Sequence, residues 1–384
     1  MRRSGVVSGP FSPLTIFSTA ALLAVSLAGA APIYSVHSLG NLGSSASRVS
    51  AINSAGMAVG FLTDQQGNAI PISLNGQANA LAGIGQASGI NSAGTIVGTT
   101  FSNGSPGVEE WSNGQAKSLN VAGYGTSIND AGRVAGGYQT SSGQLHAFTW
   151  SNGNLVDLGT LGGSWSSAYG INAAGDVAGT STTATGRFAA FFSNGNGLTS
   201  LGTLGGANSY AMGLNNAGVV VGNAQTAQGY MNAFEWDGGA LVDLGTLGGT
   251  QSYAYGVNDS GTAVGYSYIA GNTATHGFLS SNGILLDLNN LLPIGSGWTI
   301  EEAYGINNAG DILGIGTLDG QTYAVDLLPA NANSTGEALN QPLATPEPAA
   351  LLLTGAGLVL IGKLGRRQVS QRQVGKIQPE SPGR

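Results

Sequence analysis

From about residue 34 to residue 328 the chain alternates apolar and polar residues with a period of two, in short runs closed by Asn- and Gly-rich turns. Ser167-Ala168-Tyr169-Gly170-Ile171 and Leu155-Val156-Asp157-Leu158-Gly159 are two such runs. Alternation of this kind predicts β-strands, and no stretch inside the region keeps a helical period. One pattern recurs seven times: a small aliphatic residue, Asn, two variable positions, Gly, three variable positions, Gly. Its asparagines are Asn53, Asn91, Asn129, Asn172, Asn215, Asn258 and Asn307, each 38 to 49 residues from the next. Asn and Gly adopt left-handed backbone angles at low cost, so these seven positions are read as structural turns. Each repeat then divides into four strands: one before the Asn, one after it, an aromatic-bearing third such as Ala147-Phe148-Thr149-Trp150, and a fourth such as Leu155 to Leu161.

Four strands in about 43 residues is the size of a β-propeller blade. The first strand-like run, Tyr34 to Gly40, matches a fourth strand, and the last, Thr322 to Leu327, matches a third with nothing after it. The expected fold is therefore all-β, a seven-bladed β-propeller of twenty-eight strands with the N-terminal strand closing the last blade. That arrangement leaves no open sheet edge. An open β-solenoid is the alternative, and it needs no such exchange.

The two ends have a different pattern. Arg2 and Arg3 precede an apolar run from Leu14 to Leu27, then Ala28-Gly29-Ala30. A basic start, a short apolar run and small residues at Ala28 and Ala30 predict a signal peptide over 1–30, cleaved before Ala31. Residues 331–345 read as a polar linker. Pro346-Glu347-Pro348 follows, then an apolar stretch to Gly362 and the basic residues Lys363, Arg366 and Arg367. The apolar part is shorter than the ~20 residues that span a bilayer comfortably, so it would anchor only transiently, with its basic end on the cytoplasmic side. This order resembles the PEP-CTERM sorting signal of Gram-negative bacteria over 346–367, leaving 368–384 as a disordered tail. The resemblance implies processing by an exosortase-type enzyme after signal peptidase, and a destination at the cell surface or beyond.

Composition narrows the function. The chain has 384 residues, 65 of them Gly and none Cys, so disulfides and thiolate chemistry are excluded. Between the two terminal signals four basic side chains, Arg48, Lys117, Arg133 and Arg187, face seventeen carboxylates. A body this acidic repels phosphate backbones, and nucleic acid is not an expected partner.

The runs Ala147 to Gly153 and Asp157 to Gly163, with Asp287 to Pro293 and Ser296-Gly297-Trp298, resemble the HAF repeat of bacterial extracellular proteins. The resemblance covers about residues 33–328 and implies an extracellular location. The leading His stands at His146 and His276 but is replaced at Asn232, which argues against a role that needs imidazole.

Candidate chemistry is sparse. His37, His146 and His276 fall in separate repeats, too far apart in the expected ring for a triad or a zinc site. Asp157, Asp243 and Asp287 share one repeat position and could bind calcium at a mouth, though no calcium-loop pattern is present. Glu109-Glu110 and Glu301-Glu302 are the acidic doublets a glycosidase would want, but neighbours in a strand point to opposite faces. Tyr169, Tyr210, Tyr255 and Tyr304 recur near the aliphatic position and are expected to pack between blades; on a rim they could stack on sugars. No catalytic residue, metal or cofactor is predicted. The expected function is a non-catalytic secreted or surface-anchored structural or adhesive protein associated with matrix or polysaccharide. An extracellular carbohydrate-active hydrolase on a propeller scaffold is the alternative.

Overall fold

The computed structural model describes residues 34–42, 47–75 and 78–330. Ala28, Ala30, Pro346, Glu347, Pro348, Lys363, Arg366 and Arg367 lie outside the described residues, as do the expected linker and tail. The described residues form 27 strands and two 3₁₀ turns, Ala270–Asn272 and Leu288–Leu291.

The repeating element is an antiparallel meander. One copy runs β13 (Gly162–Ile171), β14 (Val177–Thr183), β15 (Phe188–Ser193), β16 (Thr199–Gly202); the next is β17 (Gly205–Leu214), β18 (Val220–Thr226), β19 (Met231–Trp236), β20 (Val242–Gly245). The same order recurs in β2 (Arg48–Ile52) to β5 (Ala78–Ala80) and in β21 (Gly248–Val257) to β24 (Ile284–Asp287). The sheets are set around an axis, and the fold is a β-propeller.

Counted by hydrogen bonding there are five sheets, four of four strands and one of eleven, and not seven separate blades. The cause is local. Gln115–Ile128 is a single strand, β9, whose first half pairs with β8 (Ser105–Ser112) and whose second half pairs with β10 (Val134–Gln139). A lone parallel bridge between Leu145 of β11 (Leu145–Ser151) and Trp165 then joins β13 to the same sheet. The sequence reading split β9 in two, which is why twenty-eight strands were expected.

The ends of the described chain meet in one sheet. β1 (Tyr34–Asn41) pairs antiparallel with β27 (Gln321–Pro329), from Tyr34 opposite Pro329 to Asn41 opposite Tyr323, beside β26 (Ile312–Leu318) and β25 (Thr299–Ile306). Tyr34 and Leu39 of β1 are buried in the adjoining cores.

Apolar side chains fill the spaces between neighbouring sheets. Phe234 is fully buried against Ala178 and Ala190 of one meander and Ala211 and Val220 of its own. Phe148, Phe191 and Phe278 are buried in the same way. Each such side chain contributes roughly 1.5–3 kcal/mol. Polar clips hold the crossings: Ser166 Oγ donates to the Gly159 carbonyl at 2.6 Å and accepts from the Ala147 amide at 2.7 Å. Ser209 and Ser252 repeat that clip.

Candidate functional site

The seven repeat asparagines lie together around the axis, each 7% exposed or less. Each side-chain amide does two things. Its Oδ1 accepts from the backbone amide four residues on, at 2.8 to 3.0 Å, fixing its own turn. Its Nδ2 donates to the carbonyl oxygen of the next asparagine round the ring. Asn53 reaches Asn91 at 3.1 Å, Asn91 reaches Asn129 at 3.3 Å, and Asn129 reaches Asn172 at 2.9 Å. Asn172 to Asn215, Asn215 to Asn258 and Asn258 to Asn307 continue at 3.4, 2.9 and 3.3 Å. Asn307 donates back to Asn53 at 3.1 Å, so the circuit closes. The pattern was visible in the sequence; the sideways bond was not, because it joins residues 38 or more apart.

Two open cavities lie on this axis, since all seven copies contribute to each. One, about 270 Å³, is lined by the asparagines and the residues after them, among them Asp130, Asn216, Asp259 and Asn308. Here Asp259 accepts from the Asn216 amide and from the side chains of Asn216 and Asn308, which hold its carboxyl below the ordinary range although partial burial acts the other way. The other, about 200 Å³, lies on the strand side of the ring. The aliphatic residue before each Asn lines both cavities and marks the boundary between them.

The strand-side cavity is built by a repeated irregularity. In each of the seven strands leading to an Asn, the residue three before it drops out of the ladder as a β-bulge. The seven bulged residues are Ser50, Ser88, Thr126, Tyr169, Met212, Tyr255 and Tyr304, and all line the cavity. A bulge re-aims a side chain at the cost of one ladder position. Tyr255 nevertheless stacks on Tyr266 of its own sheet and meets Tyr304 of the next, and Tyr304 packs against the core of Leu313 and Ile315, so these two rings lie between neighbouring sheets, as expected. Tyr210 stands two residues earlier in its repeat, where Met212 takes the bulge.

The bulged set is lopsided. Ser50, Ser88 and Thr126 are small and hydroxylated and come from consecutive repeats; the other four are large. Around the large half, rings crowd together: Tyr255 and Tyr304 at 5.3 Å between centroids, Tyr255 and Tyr266 at 5.8 Å, Tyr253 and Tyr266 at 5.0 Å. Phe188 stacks on Tyr210 at 5.5 Å and meets Trp165 edge-on at 5.7 Å. The Tyr304 hydroxyl donates to Glu302. Burial pushes the phenols of Tyr255, Tyr266 and Tyr304 up, and the Glu302 charge adds to it; Arg48 pulls Tyr255 and Tyr304 the other way. All three are neutral hydrogen-bond donors at physiological pH.

The histidines and repeated aspartates lie elsewhere and are not brought together. His146 Nδ1 is 3.0 Å from the Asp157 carboxylate, and His276 Nδ1 is 2.7 Å from that of Asp287. Asn232 Nδ2 donates to Asp243 at 3.0 Å in the equivalent place. Each pair is eleven residues apart and bridges the third and fourth strands of one meander. The carboxylates also accept from the backbone amide two residues on, at Gly159, Gly245 and Asn289. No group of three metal-ligating side chains occurs among the described residues. Glu109 is half-buried and accepts from Thr100, and burial raises its carboxyl. Larger clefts of about 430 and 660 Å³ lie by Arg133 and Asp157 and by Lys117 and Trp150, but neither gathers equivalent residues from the repeats.

A ring of antiparallel meanders about a channel lined by equivalent residues defines the class: a repeat-built β-propeller with an axial site. No family model matches the chain, and no curated protein matches it. Among solved structures it is similar to a puromycin-hydrolyzing peptidase of Mycobacterium tuberculosis, at 12% identity over 79% of this chain and 54% of that one, with a TM-score of 0.51. It is also similar to the β-propeller domain of the Trilobed protease from Pyrococcus furiosus (6%, 73% and 93%, 0.49) and to TolB from Acinetobacter baumannii (13%, 61% and 62%, 0.44). The chain thus spans less than two thirds of the peptidase and of TolB, and at these identities the likeness concerns the fold alone.

Proposed function

We propose that this chain is a non-catalytic secreted or surface-anchored structural or adhesive protein that associates with extracellular matrix or polysaccharide. One observation carries the non-catalytic part. His146 and His276 are committed to Asp157 and Asp287 inside single sheets, and Asn232 makes with Asp243 the bond that His146 makes with Asp157. A position that accepts Asn or His is selected for a donor, not for a proton shuttle.

The same reading takes the ring as seven four-stranded units, three of them fused in the eleven-stranded sheet. Seven asparagine bonds and seven bulges support that count. It also takes the chain as a HAF-like protein exported through the segment ending at Ala28 and Ala30, and sorted through Pro346 to Arg367 by an exosortase-type enzyme.

The test is a polysaccharide-retention and hydrolysis screen on the exported protein. The expected result is retention on at least one extracellular polysaccharide without release of products, unchanged by His146→Asn. Glycan turnover that His146→Asn abolishes would sink the proposal.

A further inference from the structure

We infer that the cleft of about 430 Å³ between the third and fourth repeats binds one carboxylate-bearing sugar residue of an extracellular polysaccharide. This deepens the reading above and rests on it. The cleft opens where one repeat position changes. The third-strand residue opposite the start of the second strand is Trp111, Trp150 or Trp236 in three repeats, facing Ile96, Val134 and Val220 across the ladder. Each indole packs towards the preceding repeat: Trp111 with the core of Val59, Trp150 with that of Val97 and Val108, and Trp236 on Phe192 at 5.3 Å. In the fourth repeat the same position, opposite Val177, is Ser193. No indole enters the space towards the third repeat, and Ser193 lines the cleft. Ser280 makes the same exchange opposite Ala263, but the preceding repeat there has Val219 where the third repeat has Arg133, each four residues after its asparagine.

The vacated space meets a cation and unspent hydrogen-bonding groups. The body has four basic side chains amid seventeen carboxylates, yet Arg133 is exposed and forms no ion pair among the described residues. Its guanidinium lies over Gly175 of the fourth repeat, where a Cβ would come 2.3 Å from Nη1. Thr149 is only 8% exposed, lines the same cleft, and its hydroxyl has no partner among the described residues. The side chains of Ser151, Asn152 and Asn154 line it too and are likewise unpaired. A hydroxyl buried to that degree takes its partner from water or from a ligand. A guanidinium fork matches a carboxylate with two parallel bonds, and sugar hydroxyls both donate and accept, as the hydroxyls and amides beside it do. Asp157 also lines the cleft, but its carboxylate is turned to His146 and to the Gly159 amide and leaves Arg133 unneutralised.

The full chain would be titrated with D-galacturonate, D-glucuronate and their short oligomers, and with neutral D-galactose and D-glucose, with saturation-transfer NMR as the readout. At least one uronate should bind, and the neutral sugars more weakly by about tenfold or more. Arg133→Gln should weaken the uronate by about tenfold or more, while Lys117→Gln in the neighbouring cleft leaves it unchanged. Ser193→Trp serves as the second variant, because tryptophan already stands at this position in three repeats. It should fill the cleft and abolish binding with the melting temperature maintained. Uronate binding that survives either variant in folded form, or neutral sugars that bind equally well, overturns the site while the wider function stands. Retention of a polysaccharide in the screen above with no uronate bound does the same; no retention of any polysaccharide overturns both.

Discussion

Asparagine carries an amide NH2 where aspartate has only acceptor oxygens, and at the seven axial turns that donor group reaches the neighbouring repeat. Asn215 is 4% exposed, with its Oδ1 on the Val219 amide and its Nδ2 on the Asn258 carbonyl. Asn215→Asp would leave the Asn258 carbonyl unpaired and bury a carboxylate beside it. We expect a loss of about 2–4 kcal/mol by urea denaturation; an unchanged midpoint would mean the ring is decorative. Asp326 raises a pH question at the same scale. It is buried, its Oδ1 has no partner among the described residues, and burial, with Asp311 adding to it, pushes its carboxyl up to about 7. The folded protein therefore holds this proton where the unfolded chain has released it. The contribution is favourable below about pH 4 and is lost as pH rises towards 7, to the extent of about 2–4 kcal/mol. Asp326→Asn should remove that slope, read as the melting temperature at pH 5 against pH 8.

The element that matters is the pair of inner strands with its bulge, and it explains both glycines of the repeated pattern. The first, three residues after the Asn, has a positive φ, as at Gly218 (+86°), and closes the turn by donating to the Asn215 carbonyl. The second lies across from the strand that carries the bulge. A Cβ built on Gly222 would come 2.0 Å from the Tyr210 carbonyl oxygen, and one on Gly179 would come 2.2 Å from that of Ser167. Gly222→Ala should therefore cost upward of about 2 kcal/mol, against about 1 kcal/mol for Gly186→Ala in an open turn with nothing near it. Equal losses in calorimetry would mean the close approach carries no energy. Turns, strands and the aromatic of the third strand could all be read from the sequence, because each is a local pattern of two or four residues. The site could not. A bulge leaves the alternation of Ser167 to Ile171 looking like an ordinary strand, although Tyr169 drops out of the ladder there. The bond between His146 and Asp157 was hidden too, since register between the third and fourth strands depends on a turn and a further slip at Ala147.

At the scale of the whole molecule the ring must meet itself, and the structure does so in two unlike ways. Near the axis Asn307 donates to Asn53, one bond of seven and no stronger than the rest. At the periphery β1 lies along β27 through a ladder of seven residue pairs and buries Tyr34 and Leu39. The two closures differ in what they hold. The axial bond fixes where the first inner strand sits, whereas the outer ladder removes an exposed edge and completes a core shared by Ile312, Val325 and Leu327. Burial decides which is larger: two buried side chains contribute roughly 3–6 kcal/mol, against about 1 kcal/mol for one hydrogen bond. Deleting residues 34–42 should thus lower stability by several kcal/mol and leave β27 as an open edge that promotes association, measured by urea unfolding and by light scattering. Leu39→Ala isolates the packing part and should cost about 2–5 kcal/mol with the edge still covered. If the deletion and Leu39→Ala gave the same loss and neither associated, the closure would owe its strength to one side chain, and the covered edge would count for nothing.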